Sequence, residues 1–442
     1  MPAERLIVVS NRLPVTLRRE EGAWRTGRSA GGLATAMDPI LRRTGGIWIG
    51  WSGDSEAPGD PERAAILRGW EENEGVIALD LPGDLGETFY GGYPNQTIWP
   101  LFHYFPSRLK FEPSEWDAYV EANRLFRDGV AARARPGDLI WVHDYHLMLL
   151  PSMLREALPD ARIGFFLHIP FPSSELFGLL PRRDEVLAGL LGADLVAFHT
   201  HRHLQHFRSS LLRLLGQESR VGEVDVNGRT VRMEAMPIGI APGDFASGDD
   251  VERRLAELRR EYHGRRVLLA VDRLDYTKGI PERLRTFRRL LRMYPEMHGK
   301  VVLIQIAVPS REGIGSYQDL RSEVHELVGE INGKLANAGW TPIVYINRGV
   351  EKSELVALYR LADVGWVTPL RDGMNLVAKE YAAAKPDGDG VLVLSEFAGA
   401  AAEMGEAIMV NPLDEERTAE AVHRALHLDA AERRDRMRAL HE

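Results

Sequence analysis

The chain has 442 residues, of which 44% are hydrophobic, and this is long and apolar enough for two globular domains with their own cores. Its 55 lysine and arginine residues stand against 64 aspartate and glutamate residues, and a net charge of -9 without a long block of like charge argues against a nucleic-acid partner. It has no cysteine, which excludes disulfide bonds, a catalytic thiolate and a Cys-ligated zinc site.

The N-terminal stretch predicts a short buried strand. Its apolar and small residues, 6–10, are too few for a signal-peptide core or a membrane span, so we expect a cytoplasmic protein with no membrane partner. Arg12 follows at the carboxyl end of this strand, the edge where open α/β sheets bind ligands. Residues 15–30 carry many charges, and we expect them to form a mobile loop that becomes ordered when ligands bind.

A glycine pair, Gly31 and Gly32, opens a predicted helix that runs toward Arg43. Glycines at a helix start let a ligand phosphate approach the backbone, although a plain flexible loop is the alternative interpretation. From Trp48 to Pro113 the pattern is less regular and rich in aromatic residues, and we interpret it as core and loop packing.

Strands and helices alternate in the rest of the first half. We predict a helix over residues 114–133 and strands over 138–142, 163–167 and 194–198. Asp144 and His168 follow two of these strands, so polar side chains collect at one edge of the sheet. The dipeptide Asn227–Gly228 predicts a hairpin with a type I′ turn.

Four histidines follow the last of these strands and raise the question of a zinc site: His199, His201, His203 and His206. They have no carboxylate or thiol ligands at metal-binding spacing. We therefore predict no metal site there.

A stretch rich in Gly, Pro and Ser, residues 241–249, marks the predicted boundary between a domain over 1–240 and a domain over 241–442. The second half repeats the alternation. Its predicted strands are at 267–271, 301–306, 343–346, 391–394 and near 408. Its predicted helices are one at 281–294, a long one that ends near 338 and one at 353–361. Alternation of this kind predicts mostly parallel sheets covered on both faces. The predicted fold class is α/β, with two Rossmann-like domains facing across a cleft.

Three cations of the second half lie at the ends of successive predicted strands: Arg273, Lys278 and Arg311. For the first two, the alternative is a surface ion pair with Asp272 or Asp275, which would contribute little. Three cations at one sheet edge of an acidic protein favour an anionic ligand.

The stretch 363–381 predicts a strand over 363–370, a tight turn and a helix from Asn375 onward. The first N–H groups of such a helix lack partners and lie at the positive end of the helix dipole, so this end of the helix can bind a phosphate. In the turn, Asp372 is placed to bind sugar hydroxyls, although it could merely cap the helix. About two turns after Met374, Glu380 is placed to bind ribose hydroxyls.

Six segments carry a family resemblance in chain order: 10–14 (SNRLP), 29–33 (SAGGL), 143–146 (HDYH), 166–172 (FLHIPFP), 273–279 (RLDYTKG) and 371–380 (RDGMNLVAKE). Together they resemble the trehalose-6-phosphate synthases of glycosyltransferase family 20. The resemblance implies a retaining glucosyltransferase of the GT-B type with no metal or other cofactor. Its small-molecule substrates would be a nucleotide-glucose, UDP-glucose above all, and glucose 6-phosphate, giving α,α-trehalose 6-phosphate. Members usually continue past the final helix of this sequence with a further aromatic-containing helix.

The same resemblance implies roles for individual residues. The implied catalytic residues are Arg273, Lys278, Asp372 and His168, of which the first two hold the donor diphosphate and the last two the donor glucose. The other implied donor-binding residues are Gly31, Gly32, Met374, Asn375, Leu376, Val377 and, for the ribose, Glu380. Around the acceptor, Asp144 would bind sugar hydroxyls, while Arg12, Tyr90, Trp99 and Arg311 would surround the phosphate.

Two other functions stay open at this point. A glucosylglycerol-phosphate synthase would use the same donor with glycerol 3-phosphate, and a catalytically silent sugar-phosphate sensor would keep the fold alone. Intact Arg273, Lys278, Asp372 and Glu380 argue against the sensor, because a silent protein has no need of a donor site. The sequence leaves open the nucleotide base and whether the chain forms a homo-oligomer.

Overall fold

The structure is a computed structural model that describes residues 5–28, 37, 40–41, 43–54, 59–311 and 315–441. The chain forms two compact units, Met1–Ile238 and Gly239–Glu442. Gly31 and Gly32, two of the predicted donor-binding residues, lie outside the described residues.

The first unit is built on a mixed but mainly parallel sheet. Its described strands are β1 (Leu6–Arg12), β2 (Val15–Glu20), β3 (Ala23–Arg28), β4 (Ile47–Trp51), β5 (Val76–Leu79), β6 (Leu139–His143), β7 (Arg162–Leu167), β8 (Leu195–Phe198), β9 (Glu223–Val226) and β10 (Arg229–Ala235). Eight of these described strands form one sheet in the order β5-β4-β1-β6-β7-β8-β10-β9, and only the β9–β10 pair in it is antiparallel. Asn227 and Gly228 join that pair with φ of 52° and 80°, which confirms the predicted hairpin.

The described helices of the first unit surround this sheet. They are α1 (Pro61–Glu74), α2 (Leu85–Gly91), α3 (Trp99–Phe102), α4 (Pro113–Ala131), α5 (Leu150–Ala157), α6 (Ser174–Phe177), α7 (Arg183–Leu190) and α8 (His201–Leu215), with a π-helical turn at Tyr93–Ile98.

The prediction of a loop over residues 15–30 is wrong for its described part, 15–28, which forms the antiparallel hairpin β2–β3, while ordering by ligands stays a prediction. Leu17 is fully buried and Trp24 is 8% exposed, and both belong to the core of the first unit. The Trp24 indole Nε1 also donates a hydrogen bond to Asp60 Oδ2 at 3.1 Å. Alternation of these apolar residues with charged ones gives the hairpin a buried face and a solvent face, and the high charge masked this pattern.

The interpretation of residues 48–113 as core and loop is also wrong in part, because β4, α1 and β5 lie there. The signals for α1 are present in the sequence. The Asp60 side chain accepts from the backbone N–H of Glu62 and Arg63, Pro61 is the first helical residue, and Gly75 ends the helix with φ of 66°.

The second unit contains a sheet in which every neighbouring pair is parallel. Its strands are β11 (Arg266–Arg273), β12 (Val301–Val308), β13 (Ile343–Ile346), β14 (Val364–Val367), β15 (Val391–Ser395) and β16 (Ile408–Val410), in the order β13-β12-β11-β14-β15-β16. Its described helices are α9 (Asp249–Glu261), α10 (Ile280–Met293), α11 (Gly315–Leu335), α12 (Lys352–Leu361), α13 (Leu376–Ala383), α14 (Glu415–His427) and α15 (Ala430–His441).

The α/β class with parallel sheets is confirmed. The central strands β1, β12 and β14 are almost entirely buried, as expected for parallel strands covered on both faces. No helix in the described part of the chain is long and apolar enough to cross a membrane.

Candidate functional site

In the first unit, the Arg12 guanidinium lies against two aromatic rings. Its central carbon is 4.1 Å from the centroid of the Trp51 ring and 4.9 Å from that of Tyr90, which are cation–π distances. Gly53 makes room for it, because a Cβ at this residue would lie 1.7 Å from Arg12 Nη1, and the φ of Gly53 is 91°. Burial lowers the pKa of Arg12, but an arginine remains a cation at neutral pH.

Tyr90 and Trp99 belong to one aromatic cluster beyond the end of β6. Tyr90 stacks on His146 with ring centroids 5.8 Å apart, and Trp99 packs on Tyr145 with centroids 5.5 Å apart. Asn95 joins the two sides, since it donates to the Tyr90 carbonyl at 2.6 Å and accepts from the Tyr145 hydroxyl at 2.8 Å. The structure thus brings Arg12 and Tyr90 into contact and places Trp99 in the same cluster.

Asp144 and His168 meet at the carboxyl ends of the neighbouring strands β6 and β7. Asp144 Oδ1 accepts from the His168 backbone N–H at 3.1 Å, and Asp144 has φ of 75°, an uncommon conformation for a residue other than glycine. His168 Nε2 lies 3.0 Å from Nδ1 of the buried His143. Burial lowers the pKa of His168 to about 4 and that of His143 well below its usual value, so both rings are neutral at pH 7.

In the second unit, residues 363–381 form the predicted succession of a strand, β14, a turn and a helix, α13. The turn is fixed against residues 397–400, because Asp372 N–H donates to Phe397 O, Gly399 N–H to Asp372 O and Ala400 N–H to Met374 O, at 2.8–3.2 Å. A Cβ on Gly399 would lie 1.8 Å from the Gly373 oxygen, so glycine permits this close approach.

Asp372 is engaged by two side chains. Its Oδ2 accepts from Lys278 Nζ and, at 3.0 Å, from Asn375 Nδ2. Asn375, with φ of 86°, occupies the N-cap position of α13, and its side chain makes no capping hydrogen bond to the helix. Leu376 and Val377 are the first residues of the helix, so their backbone N–H groups belong to its first turn.

Lys278 reaches Asp372 because the turn after β11 lies close to the end of β14. Leu370 N–H donates to Thr277 O at 2.8 Å, and Gly279, with φ of 65°, brings its Cα so near that a Cβ would lie 2.6 Å from Thr368 O. The buried Arg283 donates to the Lys278 carbonyl at 3.3 Å and pairs with Asp272. At the end of β11, Arg273 is exposed.

Glu380 accepts a hydrogen bond from the Tyr359 hydroxyl at 2.7 Å. Burial raises the pKa of Glu380, and it also raises the pKa of Tyr359 well above its usual value. Because α13 begins at Leu376, Glu380 lies about one turn into the helix and not two.

Lys278 pairs with Asp372, so the alternative of a surface ion pair with Asp272 or Asp275 is wrong for this lysine, while for Arg273 it stays open. Asp272 pairs with the buried Arg283, and Asp275 pairs with Arg311 at 2.9 Å in an equally buried position. Arg311 also contacts the hydroxyl of Tyr317.

The four histidines around α8 do not form a metal site in the structure. His206 Nδ1 lies 3.0 Å from the Phe171 carbonyl, which is an ordinary helix-to-loop contact. Among the residues that the structure describes, no group of three or more His, Cys, Asp or Glu side chains is arranged to hold a metal ion.

The sequence matches the model of glycosyltransferase family 20 over residues 4–442. The chain belongs to this family.

Curated relatives of this family-20 chain include two named α,α-trehalose-phosphate synthase (UDP-forming). The protein of Dictyostelium discoideum is 44% identical over 440 residues, which are 99% of this chain and 60% of that protein. The protein of Aspergillus fumigatus is 44% identical over 437 residues, which are 97% of this chain and 84% of that protein. This chain therefore spans less than two thirds of the Dictyostelium relative.

Solved structures similar to this family-20 chain include a Burkholderia xenovorans trehalose-phosphate synthase in complex with glucose 6-phosphate, with a TM-score of 0.89, 39% identity and coverage of 99% of this chain and 95% of that one. An Escherichia coli structure bound with UDP-2-fluoro glucose has a TM-score of 0.89 and 38% identity, with coverage of 99% and 94%. The N-terminal domain of a Candida albicans trehalose-6-phosphate phosphatase has a TM-score of 0.90 and 33% identity, with coverage of 99% and 92%. These matches confirm the GT-B class.

Three residues that contact predicted site residues could not be recognised from the sequence: Trp51 and His143 in the first unit and Asp275 in the second. Trp51 ends β4, a strand that the sequence pattern did not reveal. His143 lies within the recognised segment 143–146, but its contact with His168 joins two strands and leaves no local signal. Asp275 lies within segment 273–279, but its contact with Arg311 joins two distant segments and leaves no local signal.

Proposed function

We propose that this protein is a retaining glucosyltransferase that moves glucose from UDP-glucose to glucose 6-phosphate and releases α,α-trehalose 6-phosphate and UDP. The observation that carries the proposal is the arrangement of Lys278, Asp372 and Asn375 at the start of α13, where a helix N-terminus and a lysine provide for a diphosphate. Relatives over nearly the whole chain are named for this reaction, and similar structures hold glucose 6-phosphate or a UDP-glucose analogue.

The donor binds to the second unit. Arg273, Lys278 and the first N–H groups of α13 hold the diphosphate, with Met374 and Asn375 before them, and Glu380 accepts hydrogen bonds from the ribose hydroxyls. In the structure Lys278 is paired with Asp372, so the arriving diphosphate and glucose each take over one partner of this pair. The diphosphate gives Lys278 a new counter-charge, and the glucose hydroxyls give the Asp372 carboxylate hydrogen bonds in place of the ammonium group.

The acceptor binds mainly to residues of the first unit. Arg12, held on the faces of Trp51 and Tyr90, presents a fixed cation to the phosphate, with Trp99 in the same aromatic cluster. Asp144 accepts hydrogen bonds from the sugar hydroxyls, and Arg311 of the second unit adds a second cation for the phosphate.

The reaction needs no covalent glucosyl-enzyme. The acceptor hydroxyl attacks the anomeric carbon on the face from which the diphosphate departs, the bond between that carbon and the diphosphate oxygen breaks, and the hydroxyl proton passes to that oxygen. Arg273 and Lys278 stabilise the negative charge on the leaving group. His168 is neutral at pH 7 and holds the donor glucose by hydrogen bonding without adding a charge.

The assay that tests this function offers UDP-glucose and, in parallel, the other nucleotide-glucoses, with either glucose 6-phosphate or glycerol 3-phosphate. Release of nucleoside diphosphate only with glucose 6-phosphate is the expected result. Release with glycerol 3-phosphate instead would establish a glucosylglycerol-phosphate synthase. Release with neither acceptor would favour a catalytically silent sensor of sugar phosphates.

Location and assembly are further predictions. We propose a cytoplasmic location, because a chain without cysteine fits a reducing compartment. A homo-oligomer stays open, and light scattering of the purified protein would measure it.

A further inference from the structure

Asp275 is a fully buried carboxylate between two groups of proposed phosphate-binding residues. Its Oδ1 accepts from the Thr277 backbone N–H at 2.9 Å and from the Thr277 hydroxyl at 2.8 Å. Its Oδ2 accepts from Arg311 Nη1 at 2.9 Å and from the Tyr317 hydroxyl at 3.1 Å. The two oxygens thus contact two different segments of the second unit.

On the first side, Asp275 shapes the turn that carries Lys278. Its side chain caps the 3₁₀ turn Tyr276–Lys278, and its carbonyl accepts from the Lys278 N–H at 3.0 Å. Thr277, held at both its N–H and its hydroxyl, accepts in turn from Leu370 N–H at 2.8 Å. The position of the Lys278 backbone therefore depends on this carboxylate.

On the second side, Asp275 holds the guanidinium of Arg311. This arginine has φ of 51°, a left-handed conformation that is uncommon for a residue other than glycine. Both Asp275 and the Tyr317 hydroxyl contact the same nitrogen, Nη1, so they fix one end of the guanidinium fork. The Tyr317 ring lies 5.5 Å from that of Tyr276 and closes the connection to the first side.

Asp275 is ionised at neutral pH. Burial would raise its pKa, but Arg311, Arg273 and the Thr277 N–H outweigh burial and lower the pKa to about 2. A buried ion pair of this kind contributes little to net stability relative to apolar residues of the same volume, because desolvation offsets the attraction. The ion pair therefore contributes mainly by holding Asp275 and Arg311 in a fixed position relative to each other.

We propose that Asp275 is a positioning residue that orients the Lys278 turn for the donor diphosphate and Arg311 for the acceptor phosphate, so that one carboxylate organises both phosphate sites. The inference rests on the proposed function, which assigns these cations to the two substrates. It predicts that each side of Asp275 can be weakened separately.

Two conservative variants separate the sides. Tyr317→Phe removes one contact to Arg311 and should raise the KM for glucose 6-phosphate roughly three- to tenfold while leaving the KM for UDP-glucose unchanged. Thr277→Val removes one contact on the other side and should raise the KM for UDP-glucose by a similar factor, with the KM for glucose 6-phosphate unchanged. Asp275→Asn should raise both values.

Tyr345→Phe, in the same unit and distant in sequence from these segments, serves as the matched control and should leave both KM values unchanged. A purely structural role would lower the melting temperature and the active fraction, and hence the apparent kcat, with both KM values unchanged in all three variants. That result would overturn the inference, and so would equal changes in both KM values for Tyr317→Phe. The two conservative variants keep the test decisive if Asp275→Asn does not fold.

Arg311→Ala and Lys278→Ala separate this inference from the proposed function. If neither variant impairs the use of its own substrate, the assigned roles of the cations are wrong and the inference about Asp275 fails with them, whereas the proposed function is wrong only if the wild type does not transfer glucose to glucose 6-phosphate. If both variants impair it while Tyr317→Phe, Thr277→Val and Asp275→Asn do not change KM, only the role of Asp275 is wrong.

Discussion

The proposed acceptor site depends on a cation that aromatic rings hold in place. Arg12 lies between Trp51 and Tyr90 and over Gly53, so its guanidinium has little freedom to move before the substrate arrives. Binding a phosphate then costs less side-chain entropy than it would with a mobile arginine. At the scale of single residues, one prediction concerns the charge of Arg12 and a second concerns the charge of Lys278.

Arg12→Ala should raise the KM for glucose 6-phosphate and spare the KM for UDP-glucose. The lost charge-assisted hydrogen bonds are worth about 1.5–3 kcal/mol, which corresponds to a roughly ten- to hundredfold increase. Steady-state kinetics with each substrate varied in turn measures both values. Arg25→Ala, on the exposed side of the β2–β3 hairpin, is the control. An unchanged KM for glucose 6-phosphate in Arg12→Ala would show that the assignment is wrong.

Lys278→Ala should depress kcat and not only donor affinity, because negative charge gathers on the leaving diphosphate as the bond breaks. A well-placed donor of this kind is worth about 2.7–4 kcal/mol, so kcat at saturating UDP-glucose should fall roughly 10²–10³-fold. The exposed Lys300→Ala is the matched control. Full kcat in Lys278→Ala, or a trapped glucosyl-enzyme, is incompatible with the proposed mechanism.

At the scale of elements, the turn before α13 owes its position to a glycine in a different loop. Gly399→Ala would place a methyl group 1.8 Å from the Gly373 oxygen, so the turn that carries Asp372 must shift. Small displacements of binding groups cost activity steeply, and kcat/KM for UDP-glucose should fall by more than about tenfold. Gly405→Ala, which meets no atom within 4 Å, should behave as the wild type. Equal kinetics in both variants would show that the Gly399 contact does not fix the turn.

Lys385 connects the end of α12 to the end of α13. Its buried Nζ donates to the carbonyls of Arg360 at 2.9 Å and Ala362 at 2.6 Å, and burial lowers its pKa from 10.5 to about 8. Between these two values the unfolded chain binds more protons than the folded chain, so the free energy of unfolding rises with pH, by at most about 3 kcal/mol.

Urea unfolding of the wild type and of Lys385→Met at several pH values measures this effect. The difference in the free energy of unfolding, wild type minus variant, should increase between pH 8 and pH 10.5, because the other titrating groups are common to both proteins. A difference that stays constant across this range would show that the amine keeps its ordinary pKa in the folded state.

The elements also show what can be predicted from the sequence. The strand, turn and helix of residues 363–381 were predicted because an apolar β-branched run passes directly into helix formers. The hairpin β2–β3 was missed because its charged residues conceal a two-residue alternation, and β4 and β5 were missed among aromatic residues. Contacts such as His143 with His168, or Asp275 with Arg311, join distant segments, so no local pattern could have revealed them.

At the scale of the whole molecule, the proposed roles are divided between the two units. Arg12, Tyr90, Trp99, Asp144 and His168 belong to the first unit, while the diphosphate-binding cations, Asp372 and Glu380 belong to the second. In the first unit, Arg12, Asp144 and His168 lie at or just after the carboxyl ends of parallel strands, the usual ligand-binding edge in open α/β folds.

The most direct test of the central claim is NMR spectroscopy of the product that the protein makes from UDP-glucose, labelled with ¹³C at the anomeric carbon, and glucose 6-phosphate. We expect one new labelled anomeric signal with α configuration, with a three-bond coupling across the glycosidic oxygen to the anomeric proton of the second, unlabelled α-glucosyl unit, as in α,α-trehalose 6-phosphate. A β-configured product, labelled free glucose alone or unreacted donor would contradict the proposed retaining transfer.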